Sequence, residues 1–247
     1  MTAVAACRRA VFLSDLHLVG DIVDQWWMTS RRAHWGAAEN RVIERLHALR
    51  RAGTGIVYIP GNHDRPFRQL CGPAVPAMRV KRRAIHVTAD GRRLLAVHGD
   101  DYDAVTHFGN LQEKVGDWLY YRILTGNQWF NLLRRRAGLR DWSLSEFLKR
   151  QSGAAERYIA RFVDAGFRDV RRRGLDGIVC GHIHRAALFE RDGMVYAHGG
   201  DWVESLAAFV EDFDGHLCLL SHRGETLADI PRRQRVPWQE QDQRQVA

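Results

Sequence analysis

Three observations predict an α/β fold. Short apolar runs end repeatedly in glycine and metal-binding side chains, amphipathic stretches at helical spacing separate them, and Asp-Gly pairs punctuate β-like segments. A chain of 247 residues can bury one substantial core and is long for a simple domain, so one domain carrying an insertion is expected.

Each element follows from its local pattern. "AVFLSDLHL" reads as a short buried strand running into a polar loop. In "AAENRVIERLHALRRAG", Val42, Ile43, Leu46 and Leu49 share one helical face and Gly53 supplies the stop. "GIVYIPGNHD" is a strand that finishes in polar residues, and "AIHVTADGRRLLAVHGD" is a hairpin turning at Asp90-Gly91. From about Tyr102 to Arg150 the chain turns aromatic and helical, including the capping box Ser143-x-x-Glu146, and reads as a helical insertion. A long amphipathic helix from Ala154 to Arg173 follows, with Ile159, Phe162, Val163, Phe167 and Val170 inward and Gly174 at its end. "LDGIVCGHIHR" is another strand ending in ligand-type residues, and short strands then alternate with turns at Asp192-Gly193 and Asp214-Gly215. Residues 1–230 therefore form the domain with its insertion at about 102–150, and 231–247 read as a polar, mobile tail.

Composition narrows the function classes. Hydrophobic residues make up 45% and charged residues 27%, no apolar run reaches the roughly 20 residues that span a bilayer, and the N-terminus lacks a charged-then-apolar leader. Cys7, Cys71, Cys180 and Cys218 are scattered without C-x-x-C pairing, which fits reduced thiols in the cytoplasm. Net charge is +8, and all but three of the 37 basic residues (Lys81, Lys114, Lys149) are Arg. GC-rich coding accounts for that bias, and so does an anionic partner matched to Arg forks. Charge alone does not choose between phosphorylated substrate, nucleic acid and lipid surface.

The chemistry lies at the strand ends: Asp15-x-His17, Gly20-Asp21-x-x-Asp24, Gly61-Asn62-His63-Asp64, His98-Gly99-Asp100 and Gly181-His182-x-His184. Parallel strands present their C-terminal ends at one sheet edge, where ligands gather. Carboxylate, imidazole and amide oxygen together suit Mn²⁺, Fe²⁺ or Zn²⁺ and are too nitrogen-rich for a simple Mg²⁺ site. His34, His47, His86, His107, His216 and His222 have no such neighbours and read as structural.

This ordered set resembles the calcineurin-like metallophosphoesterases. More narrowly, "VGDIVDQWW", "YIPGNHD", "VHGDDYD", "WSLSEFLK", "GIVCGHIH" and "GGDWVES" resemble the branch related to UDP-2,3-diacylglucosamine pyrophosphohydrolase of lipid A synthesis. The resemblance implies a four-layer αββα sandwich with a helical cap and two divalent metal ions, Mn²⁺ foremost. It implies one metal held by Asp15, His17 and His184, a second by Asn62, His98 and His182, and Asp21 bridging them. His63 would face the scissile phosphate, supported by Asp64, and Asp24 would orient a ligand. His198, where relatives tend to carry Asn, would line the substrate pocket or stand as a tolerated polar residue.

One departure from the family pattern is large. Only Leu18 and Val19 separate the first two motifs, whereas a parallel crossover needs about a dozen residues or more. The first βαβ crossover is thus shortened, with its helix and most of its second strand missing. An abridged sequence, a rebuilt sheet edge and a degenerate member that no longer binds two metals are the three explanations. Six residues from Asp15 to Asp21 can still curl back, but a metal site tolerates little looseness.

The insertion places Trp118, Trp129 and other apolar residues near Arg134 and Arg135, as in a lid offering a groove to acyl chains and cations to phosphate or the membrane surface. A helical hairpin burying its own face fits the same residues. The resemblance implies cleavage of UDP-2,3-diacylglucosamine or a similar nucleotide-linked lipid, at the cytoplasmic face of the inner membrane or in the cytoplasm. His63 stands where the defined pyrophosphohydrolases tend to carry Arg, which keeps another phosphodiester open, nucleotide or nucleic acid included. No interleaved basic and aromatic strand surface appears, so nucleic acid is not the expected partner. A catalytically silent binding protein is the third reading. Oligomeric state has no signature in the sequence.

Overall fold

The computed structural model describes residues 9–13, 37–71, 78–103, 153–202 and 205–233. Asp15, His17, Asp21, Asp24, Trp118, Trp129, Arg134 and Arg135 lie outside the described residues, as do the shortened connection, nearly all of the cap and the tail beyond residue 233. The chain divides into two compact units, one of Met1–Gly99 with Asp169–Ala247 and one of Asp100–Arg168.

The first unit is a mixed α/β sandwich. Strand β1 (Ala10–Phe12) enters a four-stranded antiparallel sheet ordered β1-β9-β10-β11, with β9 at Ala207–Glu211, β10 at Leu217–Ser221 and β11 at Thr226–Ile230. A five-stranded sheet is ordered β4-β5-β6-β8-β7, from β4 (Arg83–Val87), β5 (Arg93–Val97), β6 (Gly177–Cys180), β7 (Ala187–Arg191) and β8 (Met194–His198). Its central strands β5, β6 and β8 are parallel, and the edge strands β4 and β7 are antiparallel to their neighbours. Period-2 alternation turns Leu94, Val179, Val195 and Ala197 of this sheet toward Phe12, Ala207, Phe209, Leu217 and Leu219 of the other. That single apolar layer holds the two sheets face to face.

Helix α1 (Ala37–Arg51) and helix α2 (Gly153–Arg172) both end as their glycines predict. At α1, Gly53 N–H donates to Arg50 O (3.1 Å) and Thr54 N–H to Leu49 O (3.0 Å). At α2, Gly174 N–H donates to Arg171 O and Leu175 N–H to Val170 O, 3.1 Å each. Both pairs close a Schellman motif, which needs a left-handed residue; φ is +92° at Gly53 and +61° at Gly174. In α2, Phe162, Val163, Phe167 and Val170 are buried as the periodicity requires. Within the second unit, Tyr102 meets Phe162 edge to face and Tyr158 Oη donates to Asp103. No helix among the described residues is long and apolar enough to cross a membrane.

One expectation needs correcting. The motif strands do not line one parallel sheet: β1 lies in the antiparallel sheet, and β2 (Val57–Tyr58) pairs in parallel with β3 (Arg79–Val80) as a separate two-stranded sheet. Among the described residues, the loop after β2 and the ends of β5 and β6 still meet, through Asn62, His98 and Gly181. The first residues of the expected tail are bonded to the domain. Arg233 N–H donates to Asp90 Oδ2 (2.7 Å), Arg233 Nη1 reaches Asp176 Oδ1 (2.9 Å), and buried Arg92 donates to Pro231 O (3.4 Å).

Candidate metal centre

The rim at the C-terminal ends of β5 and β6 collects the ligand-type side chains. His98 directly follows β5 and is buried. The chain after β6 turns sharply through Gly181, whose N–H donates to His98 O (2.9 Å) and ties the two strand ends together. His182 (φ +79°) and His184 (φ +54°) both adopt the left-handed region, and Ile183 N–H donates back to Gly181 O (3.1 Å). Such backbone costs about 1–3 kcal/mol per residue and persists where surrounding structure enforces it. Here it aims two imidazoles from three consecutive residues. The His98 and His182 rings meet edge to face, 5.2 Å between centroids.

Asn62 arrives from the loop after β2. Its Oδ1 lies 3.0 Å from His98 Nε2, which donates to it in the tautomer protonated there. The loop is shaped by Asp64, whose fully buried carboxylate accepts Gly61 N–H at Oδ1 (2.7 Å) and the Tyr58 hydroxyl at Oδ2. Asp64 therefore presents Asn62 and half-buried His63 by clamping the turn that carries them. The fit to a divalent cation is chemical: one amide oxygen and two imidazoles converge, a donor set suited to Mn²⁺, Fe²⁺ or Zn²⁺. These are the residues expected for the second metal.

For the first metal the described residues supply His184. Its Nδ1 lies 3.4 Å from Oδ2 of Asp201, which is buried and also accepts Ser205 N–H at Oδ1 (2.7 Å). A carboxylate behind an imidazole fixes the ring and raises its basicity as a ligand. Sequence reasoning passed over Asp201 as a site residue, although it is the aspartate of "GGDW". The close packing of that loop depends on Gly200, where a Cβ would lie 2.6 Å from Ser205 Cβ and 2.9 Å from Ala186 Cβ. His198, at the end of β8, is fully buried and its Nδ1 accepts Gly200 N–H (2.9 Å), so it supports the same loop from inside. Asp201→Asn is expected to keep the fold, since its amide oxygen still accepts from Ser205, and to weaken metal binding by roughly 10–100-fold. Isothermal titration with Mn²⁺ measures this, and unchanged affinity would remove Asp201 from the centre.

A rim of imidazole and amide donors on an α/β sandwich, with the carboxylate-backed His184 two residues from His182, offers a donor set suited to a divalent cation. The family model of the calcineurin-like phosphoesterases matches residues 11–186, and the chain belongs to that family. No curated protein matches it by sequence. Among solved structures it is similar to Vacuolar Protein Sorting 29 from Cryptosporidium parvum, at 10% identity and a TM-score of 0.38 over 76% of this chain and 75% of that one.

Proposed function

We propose that the chain hydrolyses the pyrophosphate bond of UDP-2,3-diacylglucosamine or a similar nucleotide-linked lipid, with Mn²⁺ as the native ion. The observation that carries the hydrolase part is the convergence of Asn62, His98 and His182 at one rim, with His184 held by Asp201 beside them. The lipid part is supported by "WSLSEFLK" and "GGDWVES" and by an insertion that mixes Trp118 and Trp129 with Arg134 and Arg135. In this reading the second cation is held by Asn62, His98 and His182. The first is held by Asp15, His17 and His184, with Asp21 shared. The bound ions would supply Lewis-acid polarisation of a phosphoryl oxygen. His63, presented by the Asp64-clamped loop, gives a proton to the leaving-group oxygen. The cap residues bind the acyl chains at the cytoplasmic surface of the membrane, and no nucleic acid takes part.

The test is metal content and product release in one preparation. The full chain is loaded with Mn²⁺, desalted, analysed by elemental mass spectrometry, and offered UDP-2,3-diacylglucosamine and bis(p-nitrophenyl) phosphate. About two Mn²⁺ ions per chain, as a dinuclear centre requires, with release of UMP is the expected result. Turnover of the aryl diester alone would move the substrate to another phosphodiester. One ion or none, without turnover, would favour the silent reading that the two-residue link between His17 and Gly20 motivates.

A further inference from the structure

The end of the sandwich opposite the metal rim carries a second group of ligand-type side chains. In the four-stranded sheet, Phe209, Glu211, Leu217 and Ile230 turn toward the partner sheet, so the alternate residues turn outward. Register places Cys218 opposite Val210 on one side and opposite Asp229 on the other, and Asp212 N–H donates to His216 O (2.9 Å) at the mouth of the β9–β10 hairpin. Asp212, His216, Cys218 and Asp229 therefore share the outer face. One ligand atom from each of Asp212, His216 and Cys218 lies within 4.8 Å of the other two.

The arrangement within the group is specific. His216 Nε2 lies 2.9 Å from Asp229 Oδ2, so with its proton on Nε2 the ring donates to that carboxylate. Nδ1 is then a lone-pair donor, 4.0 Å from Asp212 Oδ2; Cys218 Sγ lies 3.9 Å from each of the two ring nitrogens, so a small turn of the ring brings Nδ1 and Sγ onto one ion. In a tetrahedral zinc site, bond lengths near 2.0–2.3 Å put neighbouring ligand atoms about 3.3–3.6 Å apart, so closing on an ion needs contractions of less than about an ångström at the two His216 pairs and up to about 1.5 Å between Asp212 and Cys218. An imidazole whose second nitrogen is held by a carboxylate is the usual support of a zinc ligand. Cys218 is buried beside Val210, Ala208, Leu220 and Trp202, while Asp212 and His216 are half-exposed, which leaves an approach from solvent.

We infer that Asp212, His216 and Cys218 form a second metal site, selective for Zn²⁺ over Mn²⁺, with Asp229 orienting His216. Selectivity follows from the thiolate: sulfur favours the softer zinc ion, whereas the catalytic rim offers only nitrogen and oxygen among its assigned ligands. On binding, the Cys218 thiol releases its proton to solvent, Sγ and His216 Nδ1 donate their lone pairs, and a water completes the four-coordinate shell. The ion joins β9, β10 and, through Asp229, β11. It is thus a structural fastener of the end of the molecule remote from catalysis.

Cobalt tests this without reference to turnover, because a thiolate ligand gives Co²⁺ an intense near-ultraviolet charge-transfer band that nitrogen and oxygen ligands do not. The chelator-stripped full chain is titrated with Co²⁺ and then with Zn²⁺. A band saturating at one equivalent and erased by Zn²⁺ but not by an equal amount of Mn²⁺ is expected. Cys218→Ser should lose it, Asp212→Asn should weaken Co²⁺ affinity by tenfold or more, and His182→Ala should keep it. Circular dichroism confirms that each variant is folded. A folded wild-type chain without the band overturns the site, and so does a band that persists in Cys218→Ser, since Cys7, Cys71 or Cys180 would then be its source.

Discussion

Replacing His182 is expected to remove one metal ion per chain and to lower phosphoester hydrolysis by at least about 10²–10³-fold, the scale on which single preorganised electrostatic groups act. The residue is the strongest point of attack because its position is enforced. Its backbone is left-handed, Gly181 beside it is bonded to His98 O, and its ring stands 5.2 Å from that of His98. Alanine alone would confuse two effects, because a left-handed alanine is strained whatever the ring was doing. Asparagine tolerates that backbone and offers an amide in place of imidazole. His182→Asn is therefore expected to melt close to the wild type while losing the ion and the rate, whereas His182→Ala loses stability as well. His98→Ala should behave like His182→Asn in metal content, since Asn62 and His182 cannot hold an ion without it. A His182→Asn chain that keeps its full metal complement and its rate would show that the rim histidines are not the centre.

The rim was legible in the sequence because of how strands end. A buried strand is apolar by necessity, so a glycine and a histidine directly after "LLAV" or "GIVC" stand out as residues with another purpose. Helix ends were legible for a similar reason, Gly53 and Gly174 being the residues able to adopt the left-handed closure. Distribution of the strands over separate sheets was not, because pairing is set by partners far away in sequence. β1 finds β9 nearly two hundred residues later, and nothing in "AVFL" names that neighbour. Asp201 escaped notice because a loop aspartate acquires its role from the ring it faces, His184, which local pattern does not reveal. His216 read as a lone structural histidine. Its partners Asp212 and Cys218 lie four residues before and two after, a spacing that becomes one face only once the hairpin register is known. Asp90 was read as a turn residue and is one, but it also accepts from Thr88, Arg92 and Arg233.

The largest loss of stability is expected from Glu211, which contributes nothing to the rim. Its carboxylate is fully buried between the sheets at the opposite end, where Arg9 Nη1 and Ala89 N–H (2.6 Å) donate to Oε1 and His86 Nε2 meets Oε2. It thereby joins β1, β9 and the β4–β5 hairpin. Burial by itself raises its pKa, but the bonds from His86, Ala89 and Arg9 outweigh that and hold it below its ordinary value of 4.5. Asp90 nearby follows the same pattern: burial raises it, and the bonds from Arg92, Thr88 and Arg233 bring it from 3.8 down to about 2. Depressed carboxylates stabilise the fold above their unfolded pKa values and lose that contribution as pH falls through the folded ones. Stability should therefore decline from about pH 5 downward, to about pH 2 for Asp90. Glu211→Gln puts an amide donor among donors and is expected to cost about 3 kcal/mol at pH 7, the low end for opening a buried pair, because Arg9 is 35% exposed and can rehydrate. For a domain of this size that is a fall of ~6–12 °C in melting temperature. The discriminating measurement is the difference between variant and wild type at pH 7 and pH 3. The gap must narrow in acid, where the wild-type Glu211 starts to take up the proton whose absence gave it its advantage. Parallel curves would mean that the charge on Glu211 does not hold the sheets together, and that its contribution is packing alone.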